Sequence, residues 1–519
     1  MNWAKEIAEE IIKERPNEEE YTIASGVSPS GFIHIGNFRE IVTPYMVVKM
    51  LRKMGKKVRY ILSVDNFDRF RKVPGGLPEE LSANIGKPYV DFACPLDPSV
   101  SYGEYMQNRF IGELKAVDIE PECIFQAKMY RSGAYKNDVI EAMAKRGEIF
   151  EIVDSFRTQD AEEGEKENYY PISVYCTACG KDSTKVKGYN NKTHDMEYEC
   201  ECGHREKVNL DNFFNVKLLW KIDWPMRWRY EKVCFESGGL DHSTAGSSHD
   251  VAKNIVTKIF DFEPPIYYGY NFIGIKGGGA KMSSSKGGVL TLTDLLKVYD
   301  KNIILWFYAK YKPNQAFNIS LDNDVIRYYS EFDRWVRAYF DGTIDEGNRE
   351  FLELAGVTKD YLNYPSFSSL ATFLPIVNFN EELLAKLMEK EGVDTTSPYY
   401  KERLERAKYW VTNYGEEYQV NVLKDKNVEF YSLLTEEERG WVTKTIELMK
   451  NDFATTTDLQ NALYAVVKTP DLSPEDLKKV QKRYFEILYN LLLGTNKGPK
   501  LGLFLTALER QKVTEFLTF

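Results

Sequence analysis

Long apolar runs are missing from this sequence, and no stretch approaches the roughly eighteen consecutive apolar residues of a membrane span. The first twenty residues, MNWAKEIAEEIIKERPNEEE, alternate charge with single apolar positions at helical spacing. That is neither the apolar core of a secretory signal nor an acid-poor transit peptide, so a cytoplasmic protein with no membrane partner is expected. Cysteine is sparse, seven in 519 residues, which excludes a disulfide scaffold. Internal repeats and low-complexity runs are absent, and 43% hydrophobic with 14% aromatic residues is an ordinary globular composition. An excess of basic residues is missing too. The net charge of −10 argues against non-specific nucleic-acid binding but leaves room for a large folded RNA held by local basic patches. A chain this long exceeds the size at which one core stops growing, and about two to four domains are expected.

What is present begins as a βαβ unit. YTIASGV (21–27) reads as a buried strand running into the turn SPSG. From Asn37 to Met54 apolar residues recur at three and four, and VRYILSVD (58–65) is a second strand. Strand, glycine loop, helix and strand imply a parallel sheet, an α/β class. The segment 172–206 reads as short alternating strands around cysteines. A helix (248–262) is followed by one strand, PIYYGYNFIGI (265–275). DGTIDEGNRE (341–350) reads as a linker, and helices follow almost to the C-terminus, an all-α domain.

That last strand feeds GGGAKMSSSKGG (277–288). Five glycines let a backbone approach a ligand, three hydroxyls can donate, and Lys281 and Lys286 carry charge, a composition suited to a polyphosphate. The Walker pattern fails, because Lys281 follows Ala280 and Lys286 precedes Gly287; the dinucleotide pattern fails for want of a helix directly behind the glycines. A second phosphate element lies at the first βα turn. His34 and Asn37 stand three apart beside Gly36 where the helix begins, at the carboxyl end of a parallel strand, where helix amides attract anions.

Four cysteines cluster in CTACG (176–180) and CECGH (200–204). Cys176, Cys179, Cys200 and Cys202 can close a tetrahedral structural zinc site, with His204 as an alternative to Cys200 or Cys202. The cluster is expected to stand away from both phosphate elements. Cys94, Cys123 and Cys234 show no pattern.

SPSGFIHIGN with KMSSSKG resembles the two signatures of class I aminoacyl-tRNA synthetases, HIGH and KMSKS, in the correct order and separated by a large insertion. HIGN, ASGVSPSG, WKIDWPMRW (220–228), GGLDHSTAGSSHD (238–250) and LLLGTNKGPKLG (491–502) are similar to class I lysyl-tRNA synthetases, and the likeness covers most of the chain. The resemblance implies a Rossmann-type catalytic domain, a zinc-containing insertion and an α-helical domain that reads the anticodon. The expected division is a first catalytic half at 1–110, an insertion at 111–235 with its zinc module at about 172–206, and a second catalytic half at 236–290. A helical connection (291–345) and the anticodon domain (346–519) follow.

The implied partners are ATP with Mg²⁺, L-lysine and tRNA(Lys), and the implied state is a monomer. His34 and Asn37 would donate to the phosphates, while Lys281 and Lys286 would neutralise the leaving pyrophosphate. Gly36, Gly239, Asp241, His242, Met282, Ser283, Ser284 and Ser285 would contact ATP. Gly26 and Ser28, with Trp220, Asp241, His242 and Tyr268, would hold lysine, and Tyr270 is a further aromatic candidate for its ammonium. The zinc module is implied to serve structure near the tRNA acceptor end. Two departures stand out: Ser28 replaces the family's usual threonine, and Leu240 stands where lysine is frequent. The arginine that glutamyl and glutaminyl relatives carry ten residues before the signature histidine is Ala24 here. A synthetase for another amino acid, or a catalytically silent tRNA-binding paralogue, is the competing expectation.

Overall fold

The computed structural model describes residues 2–157, 161–243, 246–276, 290–416, 422–470, 472–508 and 510–519. They form two compact units: one of residues 1–296, 304–319 and 345–356, the other of 297–303, 320–344 and 357–519. Among the described residues no helix is long and apolar enough to cross a membrane.

The first unit is built on a five-stranded parallel sheet, in which β1 (Tyr21–Val27), β2 (Val58–Val64) and β3 (Glu122–Phe125) run outward on one side. β1 is buried nearly throughout, as a strand covered on both faces must be. The insertion holds a short antiparallel pair, β4 (Ile172–Val174) with β8 (Val216–Leu218). It also holds a three-stranded antiparallel sheet of β5 (Thr184–Tyr189), β6 (Asp195–Cys200) and β7 (Arg205–Asn209). β9 (Val233–Gly239) and β10 (Ile266–Tyr270) then return to the main sheet, whose order is β10-β9-β1-β2-β3. The order reverses between β1 and β9, and such a switch point opens a crevice outside the carboxyl ends of the strands.

Two helices, α1 (Trp3–Glu14) and α2 (Ile35–Lys53), pack together, and α2 lies on β1, β2 and β9. The helices Trp220–Glu231 and Ser248–Lys258 pack on each other, with Trp224, Trp228, Ala252 and Val256 in one apolar cluster with Ala24 of β1.

Two expectations are corrected. The strand read at 265–275 is broken at Asn271 and Phe272. Its second part, β11 (Ile273–Ile275), pairs with β12 (Phe317–Ile319) instead of the main sheet. The stretch read as a linker at 341–350 contains the start of a helix, Glu346–Leu354, capped by the Asp345 side chain. That helix belongs to the first unit, because Lys53 pairs with Glu353 and the Lys49 ammonium donates to the Leu354 carbonyl at 2.6 Å.

The second unit is helical in its described residues, as expected beyond residue 350. Its core contains an ion: Arg403, 0% exposed, donates to Asp333 at 3.1 and 3.2 Å, to Asp300 and Tyr361, and to the Pro365 carbonyl at 3.0 Å. The rings of Tyr329, Tyr361 and Tyr364 lie about the guanidinium at 4.5–5.0 Å. Arg403→Met takes the cation from the half-buried Asp333 and leaves the buried Asp300 with Arg406 alone, at 3.4 Å. It should lower the unfolding free energy of this unit by about 3–5 kcal/mol, read as an earlier denaturant midpoint by circular dichroism.

Candidate active site

The carboxyl ends of β1, β2, β9 and β10 surround a cavity of about 700 Å³ in the first unit. Of the residues singled out in the sequence, Gly26, Ser28, His34, Gly36, Asn37, Trp220, Gly239, Asp241, His242 and Tyr270 line it. Tyr268 does not: it sits two residues below the end of β10, on the side facing α1, and its hydroxyl donates to Glu10 at 2.5 Å. Lys281, Met282, Ser283, Ser284, Ser285 and Lys286 lie outside the described residues.

His34 is the N-cap of α2. Its Nδ1 accepts the N–H groups of Gly36 at 3.0 Å and Asn37 at 3.2 Å, satisfying two of the amides that every helix start leaves open. With Nδ1 accepting, the ring hydrogen of the neutral tautomer is on Nε2, so His34 is a hydrogen-bond donor at that atom. Gly36 is required by contact: a Cβ there would stand 2.8 Å from the His34 ring. The chain beyond 277–289 is fastened to the same place, since Ile35 N–H donates to the Leu290 carbonyl at 3.0 Å and His34 bridges Thr291.

Six carboxylates line the cavity, Glu40, Asp65, Asp68, Asp182, Glu236 and Asp241, against three permanent cations, Arg69, Arg71 and Lys217. Glu40, one turn along α2 from Asn37, accepts from the Tyr270 hydroxyl, and burial pushes its carboxyl well above the usual range. Glu236 accepts from the indole N–H groups of both Trp224, at 2.9 Å, and Trp228; burial raises its carboxyl against those bonds. Burial lifts Asp65 to about 6, with Arg227 opposing. The walls between these acids are aromatic: Trp220 stacks on Trp224 at 5.2 Å, and His242 lies 6.1–6.5 Å from both rings. Glu40, Glu236 and Trp224 escape the sequence reading, although a lone acid inside the buried run VCFESGG is a usable signal for Glu236.

The loop carrying Asp241 and His242 is held from behind. Tyr267 and Ser243 share a hydrogen bond of 3.0 Å, and Ser243 donates to the Gly239 carbonyl at 3.0 Å. Leu240 is 37% exposed.

The cysteines meet as two knuckles. All four Sγ atoms lie within 4.8 Å of one another, with Cys176–Cys202 at 3.8 Å and Cys179–Cys200 at 3.6 Å. A tetrahedral zinc thiolate with Zn–S bonds of about 2.3 Å has sulfurs about 3.8 Å apart, so the donor set fits the ion. Gly180 and Gly203 follow cysteines in left-handed backbone, φ +73° and +91°, which closes each turn. His204 points its Nε2 to Thr177 at 3.0 Å and Glu206 at 3.3 Å, outside the sulfur quartet. None of the four cysteines lines the cavity, while Ser173, Tyr175 and Asp182, which flank the first knuckle, do. Protein purified without added metal should carry about one zinc per chain by elemental analysis. His204→Ala should keep it and Cys200→Ser should lose it; retention in the serine variant refutes this ligand set.

The model of the family described as tRNA synthetases class I (K) matches residues 1–358. A lysine–tRNA ligase of Borreliella burgdorferi is 36% identical over 520 residues, 97% of this chain and 96% of that protein. Lysine–tRNA ligases of Thermococcus kodakarensis (33% identical over 532 residues, covering 100% and 99%) and Treponema pallidum (32% over 538, covering 100% and 98%) are similar end to end. A parallel sheet split at its switch point, a histidine-capped helix start beside the crevice and this likeness lead to one conclusion: the chain belongs to the class I (K) tRNA synthetases.

Proposed function

We propose that this chain ligates L-lysine to tRNA(Lys) in two steps. A lysine carboxylate oxygen attacks the α-phosphorus of ATP, forming lysyl-adenylate as the bond to pyrophosphate breaks. The 2′-hydroxyl of the terminal tRNA adenosine then attacks the lysyl carbonyl and AMP departs. The carboxylate is already a nucleophile, so the first step needs positioning and charge stabilisation more than a base.

The observation that carries the reading is the joining of His34 to the segment at Leu290–Thr291, beside a cavity rich in acids and aromatic rings. His34 and Asn37 donate to the phosphates. A triphosphate brought to so acidic a cavity needs cations, and Lys281, Lys286 and Mg²⁺ accompanying ATP supply them. Met282 and Ser283 to Ser285 contact the nucleotide. The lysine ammonium is met by Glu40 and Glu236 between the faces of Trp220 and Tyr270, while Gly26, Ser28, Asp241 and His242 bind its backbone end and the nucleotide. Zn²⁺ in the cysteine module holds the insertion in shape, and the helices of the second unit read the anticodon. The working form is a cytoplasmic monomer.

ATP–pyrophosphate exchange across the twenty amino acids, with total tRNA present, tests the reading. Exchange that depends on lysine supports it, exchange with another amino acid reassigns the substrate, and none at all points to a silent paralogue. Lys286→Ala should slow adenylate formation by about 10²–10³-fold, the loss expected of one donor to developing charge. Unchanged single-turnover adenylate formation would sink that role.

A further inference from the structure

The helix Trp220–Glu231 presents tryptophans and charges on one face, at the spacing 220, 223, 224, 227, 228 and 231. Asp223 is 0% exposed and Arg227 6%, and a pair so deeply buried is expensive unless geometry satisfies it. One Arg227 nitrogen donates to Ser63 Oγ at 2.6 Å and to Asp65 at 2.9 Å, and its other terminal nitrogen faces Asp223 at 2.9 Å. Asp223 is further engaged by Tyr130 and by Lys217 at 3.4 Å. The guanidinium lies 5.3 Å from the centre of the Trp220 ring.

Arg227 does not line the main cavity, yet two of its partners, Asp65 and Trp220, do. It lines instead a second space of about 30 Å³ that lies behind Trp220 and Trp224, which border both spaces. The tryptophans thus stand between the two spaces, packed in the apolar cluster of Trp228, Ala252 and Val256 and oriented by directed contacts. Trp224 is fixed by its bond to Glu236, and Trp220 by stacking on Trp224 and by the Arg227 guanidinium.

We propose that Arg227 is a positioning residue for amino-acid binding: anchored through the Asp65 carboxylate, it sets from behind the Trp220 ring that the side chain of the amino acid meets. This rests on the reading of the cavity as an amino-acid site. One terminal nitrogen hydrogen-bonds Ser63 and Asp65 together, the other stands against Asp223 as an ion pair without a hydrogen bond, and the plane lies beside an indole. A lysine ammonium at the same position can reach one carboxylate but cannot do all of this.

The test is ATP–pyrophosphate exchange with tRNA present, varying lysine and ATP separately, for the wild type, Arg227→Met and Arg227→Lys. The methionine variant should raise KM for lysine about 30-fold or more, the effect of removing one partner from a buried charge pair, with KM for ATP within about twofold of wild type. The lysine variant should recover part of the loss, to about 5-fold. A KM for lysine that does not move in either folded variant overturns the inference, as does a parallel rise in both KM values, which is what general loosening produces. If the methionine variant does not fold, the lysine variant decides by the same criterion. A wild type that exchanges with a different amino acid refutes the reading of the cavity as a lysine site, and the Arg227 criterion then applies to that amino acid's KM. A wild type with no exchange overturns both.

Discussion

Two hydrogen bonds from the first turn of α2 to the Nδ1 atom of His34 are the constraint around which the site is arranged. They make the imidazole part of the backbone's own accounting, because a helix start leaves four amides without partners and here a ring nitrogen takes two. The remaining ring nitrogen becomes a donor whose direction is fixed by the helix axis. The same contact excludes any side chain at Gly36, and Ile35 carries the constraint outward to Leu290. Leu290 and Thr291, more than two hundred residues further along the chain, are therefore referred to the same turn of helix.

The cavity handles its negative charge in two ways. Asp65, Asp68 and Asp223 are bound into a lattice with Arg227 and Lys217, and in that lattice burial alone would lower the Lys217 ammonium, but the surrounding carboxylates more than offset it and raise it. Glu40 and Glu236 take neutral donors instead, a tyrosine hydroxyl and two indoles, and burial lifts both. A carboxylate satisfied only by neutral donors keeps its demand for a cation, whereas one locked to arginine has largely met it. The two groups of acids therefore play different parts, the lattice setting geometry and the two glutamates attracting positive charge.

The features legible in the sequence are those whose cause is local. The first βαβ unit follows from apolar spacing and a Pro/Gly turn, and both cysteine knuckles from thiols with a following glycine. The helix at Trp3–Glu14 shows the same. What is not legible depends on partners distant in the chain. The break at Asn271 exists because Ile273–Ile275 pairs with Phe317–Ile319, which no window around residue 270 contains. Tyr268 and Tyr270 are indistinguishable by composition. Only the height of each along β10, and the helix opposite, sends one to Glu10 and the other to Glu40 at the cavity. Glu236 and Trp224 look like packing in a buried strand and helix until the indole is seen to point at the carboxylate.

Ala24 bears on the substrate charge proposed for the cavity. In the register of the sheet it stands beside Glu236, and it packs with Trp224 and Trp228, the two residues that hold that carboxylate. A methyl group there leaves room for both indoles. An arginine at the same position, as the glutamyl and glutaminyl relatives carry, would fill that room and place a guanidinium next to Glu236, cancelling its charge and inviting a substrate carboxylate. In the proposed reading, alanine and glutamate on neighbouring strands act as one unit, in which a methyl group at the first position leaves the second free to meet the substrate's ammonium.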